Sequence, residues 1–241
     1  MNIAIIGLGK MGRIIRDIAL ERGHQVPVTI DKDNLNDLKS EAFKKADVAI
    51  EFTTPGTAVP NIMACLDAGV PVVVGTTGWM DHLPEISKAY QDKGGSLFYA
   101  SNFSIGVNIF FQVNRKLAEL MNPHTSYDVT MEEIHHIHKA DAPSGTAITL
   151  AEGILENVDR KSAWCLAPSL PYKAEQLQIA ALRTAEVPGT HTIRWESPID
   201  DIEIKHTAKG RQGFALGAVI AAEWLKGRQG VFNMPDLLKN A

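Results

Sequence analysis

Cysteine is nearly absent: Cys65 and Cys165, a hundred positions apart, are the two in a chain of 241 residues. Neither belongs to a C-x-x-C, which argues against a disulfide framework or a zinc knuckle. Such usage fits a reducing cytoplasm, the location expected. Runs of Lys or Arg are lacking too. The 24 basic residues are outnumbered by 28 acidic ones, for a net charge of −4, so no footprint for a phosphate backbone is present and no nucleic-acid partner is expected. No apolar window reaches the roughly 18 residues of a spanning helix. The nearest, FALGAVIAAEWL at 214–225, is too short, and no membrane partner is expected. The opening MNIAIIGLGKMG has no basic segment ahead of a long apolar stretch, so no secretory signal is read. Repeats and low-complexity tracts are missing as well. What remains, 45% hydrophobic and 22% charged residues, is the composition of a soluble globular protein of one or two domains.

The first thirty residues carry a pattern. Asn2 to Ile6 is a β-branched apolar run, read as a strand buried on both faces. Gly7, Gly9 and Gly12 follow as G-x-G-x-x-G, within which Lys10 and Met11 open a helix with apolar residues at Met11, Ile14, Ile15, Ile18 and Ala19. A second strand, Val26 to Ile30, ends at Asp31, 19 positions after Gly12. Gly7 permits the tight turn, Gly9 admits a pyrophosphate to the backbone, and Gly12 lets helix and strand pack closely. The helix N-terminus attracts phosphate, and the Asp31 carboxylate accepts ribose hydroxyls. A lone glycine motif is a weak signal; strand, helix, strand and acid in order make it strong. Asp31 would repel a 2′-phosphate and favours NADH, whereas Lys32 and Lys39 would attract one, so NADPH stays open.

Strand and helix keep alternating: strands at 47–52, 70–74 and 96–100, helices at 57–68 and 81–92. That rhythm predicts a parallel sheet covered on both faces, with ligands outside the carboxyl ends of its strands. Two small polar segments fall there, Phe52-Thr53-Thr54-Pro55 and Gly75-Thr76-Thr77-Gly78, and both are candidates for cofactor contact. After Ala100-Ser101-Asn102-Phe103 the rhythm changes. A long helix is read over 108–121, then a strand over Tyr127 to His138, with further extended segments at 178–183, 191–197 and 201–206. This predicts a mixed or antiparallel sheet. A last apolar helix at 212–226 needs cover, and the tail is expected to dock onto the first domain.

Three of the eight histidines crowd into EEIHHIHKADAPSGT, residues 132–146. Metal binding is one reading: His136 and His138 at i, i+2 share a strand face, with Glu132 as a third ligand, although Lys139 opposes a cation. A second is structural, histidines that only hydrogen-bond on a half-exposed sheet. The third is an anion and acid site. His135, His136 and Lys139 supply N–H donors and a proton, and Ser144 caps a helix whose first residues, Gly145 and Thr146, offer backbone N–H groups to a carboxylate.

Taken together, Gly7 to Gly12, Gly75 to Gly78, Ala100 to Ser104 and above all Glu133 to Thr146 resemble the 4-hydroxy-tetrahydrodipicolinate (dihydrodipicolinate) reductases of diaminopimelate and lysine synthesis. Phe214 to Ala218 and Met234 to Leu238 extend the resemblance over nearly the whole chain. It implies an α/β protein with a Rossmann-type dinucleotide domain (1–102 and 210–241) and an α+β substrate-binding and tetramerisation domain with a mixed sheet (103–209). It implies NADH or NADPH as cofactor, a small dicarboxylate substrate and a homotetramer. His135 and Lys139 correspond to the proton-transfer pair. His136, Ser144, Gly145 and Thr146 correspond to substrate-binding residues, with no metal. Gly7, Gly9, Lys10, Met11, Gly12, Asp31, Phe52, Thr53, Gly75, Thr76, Thr77, Ala100, Asn102 and Phe103 correspond to the cofactor site. The chain is short for the family, and RTAEVPGTH at 183–191 departs from the usual arginine-alanine-glycine-aspartate form, leaving the role of Arg183 open. The alternative is another two-domain nicotinamide-dependent dehydrogenase of amino-acid metabolism, which would need the glycine motif but not the histidine-lysine stretch beside Ser-Gly-Thr.

Overall fold

The computed structural model describes residues 1–168, 170–171 and 173–239. The chain divides into two compact units, Met1–Ile105 with Gln212–Ala241, and Gly106–Arg211. The first unit is built in the order β1 (Asn2–Ile6), α1 (Lys10–Glu21), β2 (Gln25–Ile30), α2 (Glu41–Lys44), β3 (Val48–Glu51), α3 (Pro55–Ala68), β4 (Val72–Val74), α4 (Leu83–Lys93) and β5 (Ser96–Tyr99). The second contains α5 (Ile105–Met121), β6 (Asp128–His135), α6 (Gly145–Leu155), β7 (Ala163–Leu166), β8 (Gln176–Arg183), β9 (Thr190–Glu196) and β10 (Asp201–Thr207). The chain then returns to the first unit with α7 (Gln212–Leu225), β11 (Gly230–Phe232) and α8 (Met234–Lys239).

The first sheet is parallel, in the order β11-β5-β4-β3-β1-β2. Side chains alternate across a strand, and here both faces are covered. Ile3, Ile5, Val48, Ile50, Val73 and Phe98 face a core shared with α1, α7 and α8. Ala4, Ile6, Ala49, Val72, Val74 and Leu97 face the opposite core, with α3 and α4. Hence these strands read as continuous apolar runs. Pro27 is tolerated because β2 is an edge strand, where a missing N–H leaves no neighbour unpaired. This is a Rossmann-type α/β unit.

The second sheet is mixed, in the order β10-β9-β6-β8-β7. Strand β6 runs antiparallel to β9 and parallel to β8. One face, with Val129, Met131, Leu177, Ile179, Ile193 and Trp195, packs on α5 and α6. The other holds a shallow groove of about 410 Å³ lined by Thr130, Glu132, Gln178 and Arg194 among others.

One expectation is corrected. Strand β6 stops at His135, not His138. Thr184 N–H takes the His135 carbonyl, and Lys139 N–H closes a turn onto the His136 carbonyl. His136 and His138 therefore do not share a strand face, and the pairing with Glu132 loses its geometric basis. His138 is exposed, 3.4 Å from the Glu186 carboxylate.

Candidate active site

In the first unit the site grows from the loop between β1 and α1. Gly7 sits at φ +94°, and a Cβ there would collide with the Phe52 carbonyl. A Cβ on Gly12 would strike the Gly7 carbonyl, so α1 rests directly on the loop. Gly9 is different: no heavy atom lies within 4 Å of the place its Cβ would take. That open space lies at the N-cap of α1, where no side chain supplies a capping hydrogen bond. The first N–H groups of a helix have no intrahelical acceptor, and an anion seated there satisfies them. Two packed glycines and one open one are what a pyrophosphate approach requires, so these residues fit a dinucleotide.

Two cavities meet at this loop, sharing Gly9, Phe52 and Thr53. The first, about 330 Å³, reaches Asp31 and Lys32 at the end of β2. The Asp31 carboxylate accepts from Lys32 N–H at 2.8 Å and from Leu8 N–H at 3.3 Å, which ties it across the glycine loop. The second, about 350 Å³, is lined by Lys10, Met11, Gly75, Thr76 and Thr77. Gly75 has no room for a Cβ because the Phe52 ring lies against it. Gly12, Ala100, Asn102 and Phe103 are not in the lining of either cavity. Phe103 is core, 1% exposed, with its ring centroid 5.7 Å from Phe52 and 5.9 Å from Phe98. Asn102 Oδ1 accepts from Ser104 N–H at 2.9 Å, and Ala100 N–H donates to the Val74 carbonyl.

In the second unit the end of β6, the start of α6, the end of β8 and the start of β9 converge on one carboxylate. Glu133 is fully buried. His135 Nδ1 pairs with its Oε2, while Arg183 Nη2 and Ser144 N–H donate to its Oε1 at 2.9 and 3.2 Å. Burial alone would raise this carboxyl; the hydrogen bonds from His135 and Arg183 overcome it and hold the group down to about 2. Arg183 also donates to the backbone carbonyls of Lys139 and Asp141, so it clamps the turn that carries Lys139. Lys139 Nζ lies 2.8 Å from the Asp141 carboxylate, and that ammonium holds Asp141 below its ordinary range.

His191, on β9, packs edge-on against His135 with ring centroids 5.1 Å apart, and its Nε2 is 3.1 Å from Ser144 Oγ. Burial, then the charge of His135, pushes His191 down to about 4, so it is neutral near pH 7. Ser144 Oγ accepts from Ala147 N–H at 3.2 Å and is the N-cap of α6. Gly145 is exposed in the first turn, with open space where a side chain would be, and Thr146 beside it is half-buried. His136 is half-buried, and its Nδ1 has no partner among the described residues. Ligand atoms of Glu133, His135 and His191 lie within 4.8 Å of one another, a set that could hold a metal ion. Yet both Glu133 oxygens are already engaged, one of them by a guanidinium, which opposes a second cation. Chemically, an imidazole, His135, and an ammonium, Lys139, can each hold or release a proton, and the N-terminus of α6 is suited to an anion.

Glu133 and His191 are the residues that motif reading misses, and Arg183, whose role the sequence left open, donates to the Glu133 carboxylate. A signal was present: alternation puts Glu133 and His135 on the same face of β6 as Val129 and Met131, an ionisable pair where apolar residues belong. His191 stands likewise in line with Ile193 and Trp195 on β9.

A Rossmann-type unit with an open-glycine cradle, joined to an α+β unit holding an acid–base cluster, defines a two-unit nucleotide-dependent oxidoreductase. The particular family is then plain: the chain belongs to the dihydrodipicolinate reductases, enzymes whose N-terminal family model matches residues 1–103 and whose C-terminal model matches 106–238. A 4-hydroxy-tetrahydrodipicolinate reductase of Christiangramia forsetii is 47% identical over 244 residues, covering 100% of this chain and 98% of its own. The enzyme of that name from Methanosarcina acetivorans is 33% identical, covering 98% and 88%. A dipicolinate-bound dihydrodipicolinate reductase from Paenisporosarcina sp. TG-14 has the same fold. Its TM-score is 0.77 at 22% identity, covering 98% of this chain and 99% of that one.

Proposed function

We propose that this chain reduces 4-hydroxy-tetrahydrodipicolinate (dihydrodipicolinate) to tetrahydrodipicolinate with NADH or NADPH, in diaminopimelate and lysine biosynthesis. Membership of the reductase family and the full-length relatives of that name support the reaction. When bound, the reduced nicotinamide supplies a hydride to the substrate's conjugated C=N system. The chain's own residues do the rest. Gly9 and the N-terminus of α1 seat the diphosphate, on a loop that Gly7 and Gly12 keep tightly packed, and Asp31 receives the ribose. In the second unit the α6 N-terminus, capped by Ser144, takes a substrate carboxylate through Gly145 and Thr146, and His136 contributes a further donor. Lys139 or His135 delivers the proton. The observation that carries this reading is the tie between the two proton donors and the anion pocket: Glu133 binds His135, Arg183 and Ser144, and Arg183 grips the Lys139 turn. Such linkage fixes donor and carboxylate relative to each other, as near-attack geometry needs.

The substrate class, a small dicarboxylate, agrees with the dipicolinate named in the Paenisporosarcina structure. The Christiangramia relative aligns over 98% of its length, so the compactness of this chain is shared within the family. A homotetramer is part of the proposal, supported by the open face of the second sheet, where Leu182 is exposed beside the half-buried Ile134. Cytoplasmic residence is proposed too, on a biosynthetic family and two free cysteines. No helix among the described residues is long and apolar enough to cross a membrane. The deciding experiment is loss of nicotinamide absorbance with freshly generated substrate, run with NADH and with NADPH. Oxidation with other amino-acid dehydrogenase substrates and none with this one would overturn the reading.

A further inference from the structure

A second buried acid, Glu51, ends β3 in the middle of the parallel sheet. It is fully buried, as are Val48, Ala49 and Ile50 before it. One oxygen, Oε1, accepts from the Thr53 hydroxyl and from Asn61 Nδ2 of α3, the latter at 3.4 Å. The other, Oε2, is buried with no partner among the described residues. The groups that act on the carboxyl come from Thr53, Thr76 and Asn61, none of them a cation, and burial pushes it up from its ordinary range. An acid without a counter-charge in an apolar strand costs stability, so its presence calls for a purpose outside folding.

Its location supplies one. Thr53 belongs to the walls of both cavities at the glycine loop. Its N–H donates to Thr76 Oγ1 at 2.7 Å, and its hydroxyl lies 2.9 Å from Thr57 Oγ1. Glu51 is thus the buried anchor of a chain of polar side chains that joins the loop after β3, the loop after β4 and the start of α3. We propose that Glu51 is a positioning residue for the coenzyme: through the Thr53 hydroxyl it holds the stretch of wall common to both cavities. The inference rests on the coenzyme reading above.

The test is NADH affinity, read by fluorescence titration of the full chain, with thermal melting recorded for every variant. Glu51→Leu keeps the volume and removes the acceptor, and should raise the NADH Kd about tenfold. Glu51→Gln keeps a carbonyl acceptor in the same shape and should restore Kd to within about threefold of wild type. Thr53→Val should match Glu51→Leu, and the double variant should be no worse than either, because both delete one shared link. Wild-type affinity in Thr53→Val overturns the inference whether or not Glu51→Leu folds. So do additive effects in the double variant, or a glutamine variant as defective as leucine with its fold intact. A wild-type protein that binds neither NADH nor NADPH overturns the coenzyme reading and this inference with it.

Discussion

Replacing Glu133 by glutamine removes one charge and almost no volume from the centre of the second unit. In the folded chain this fully buried carboxyl is held down to about 2, against an ordinary 4.5, by His135 and Arg183. At about 1.4 kcal/mol per unit, that displacement stabilises the fold by about 3 kcal/mol. The sign follows from proton binding. Between 4.5 and 2 the unfolded chain holds the proton and the folded chain does not, so the stabilisation is fully present above 4.5 and drains away as pH falls toward 2. Glu133→Gln should therefore be less stable than wild type by about 3 kcal/mol at pH 7, and by about half of that or less at pH 3. A protonated glutamate and a glutamine are close to the same shape, which is why the gap must narrow. Denaturant melts at the two pH values, followed by the fluorescence of Trp195 buried in the same core, measure it. Turnover should fall at least about 100-fold as well, since His135 and Arg183 lose the anion that aligns them. A gap of equal size at both pH values, or no gap at pH 7, would refute the assignment of Glu133 as the charged partner of His135 and Arg183.

Further outcomes are expected elsewhere. Lys139→Ala should lower turnover by about 100-fold or more while the NADH Kd moves less than about threefold; near-normal kcat in steady-state assays would remove Lys139 from the reaction. Gly9→Val should melt like wild type, because no heavy atom occupies the space its Cβ enters, yet lose NADH binding in titration. Gly12→Val should instead unfold the first unit at lower temperature, since its Cβ meets the Gly7 carbonyl; equal melting of the two would contradict the packing described. Asp31→Ser should raise kcat/KM for NADPH relative to NADH by about tenfold or more, as the carboxylate that repels a 2′-phosphate is gone.

Much of the first unit is legible along the chain. The run Asn2–Ile6, the glycines at 7, 9 and 12 and the acid at 31 lie within thirty residues, so each constraint acts on its near neighbours. Short strands are harder to see. β11 has three residues and β7 four, too few for a period, and each exists because β5 or β8 offers it a ladder. The end of β6 is a related case. Polar alternation continues to His138, but hydrogen bonds from Thr184 and within the 136–139 turn end the strand at His135. Metal binding by His136 and His138 looked reasonable only while that strand ran on.

The chemical types in the site, a glycine cradle, clustered histidines, a lysine and a Ser-Gly-Thr helix start, were determined by sequence alone, because turn geometry and helix capping depend on adjacent residues. Which charges meet was decided by the tertiary structure. Arg183 reaches Glu133 across 50 positions, and His191 reaches Ser144 across 47. Hydrogen bonds and ion pairs act over a few ångströms of space whatever the distance along the chain, so only folding brings such partners into range.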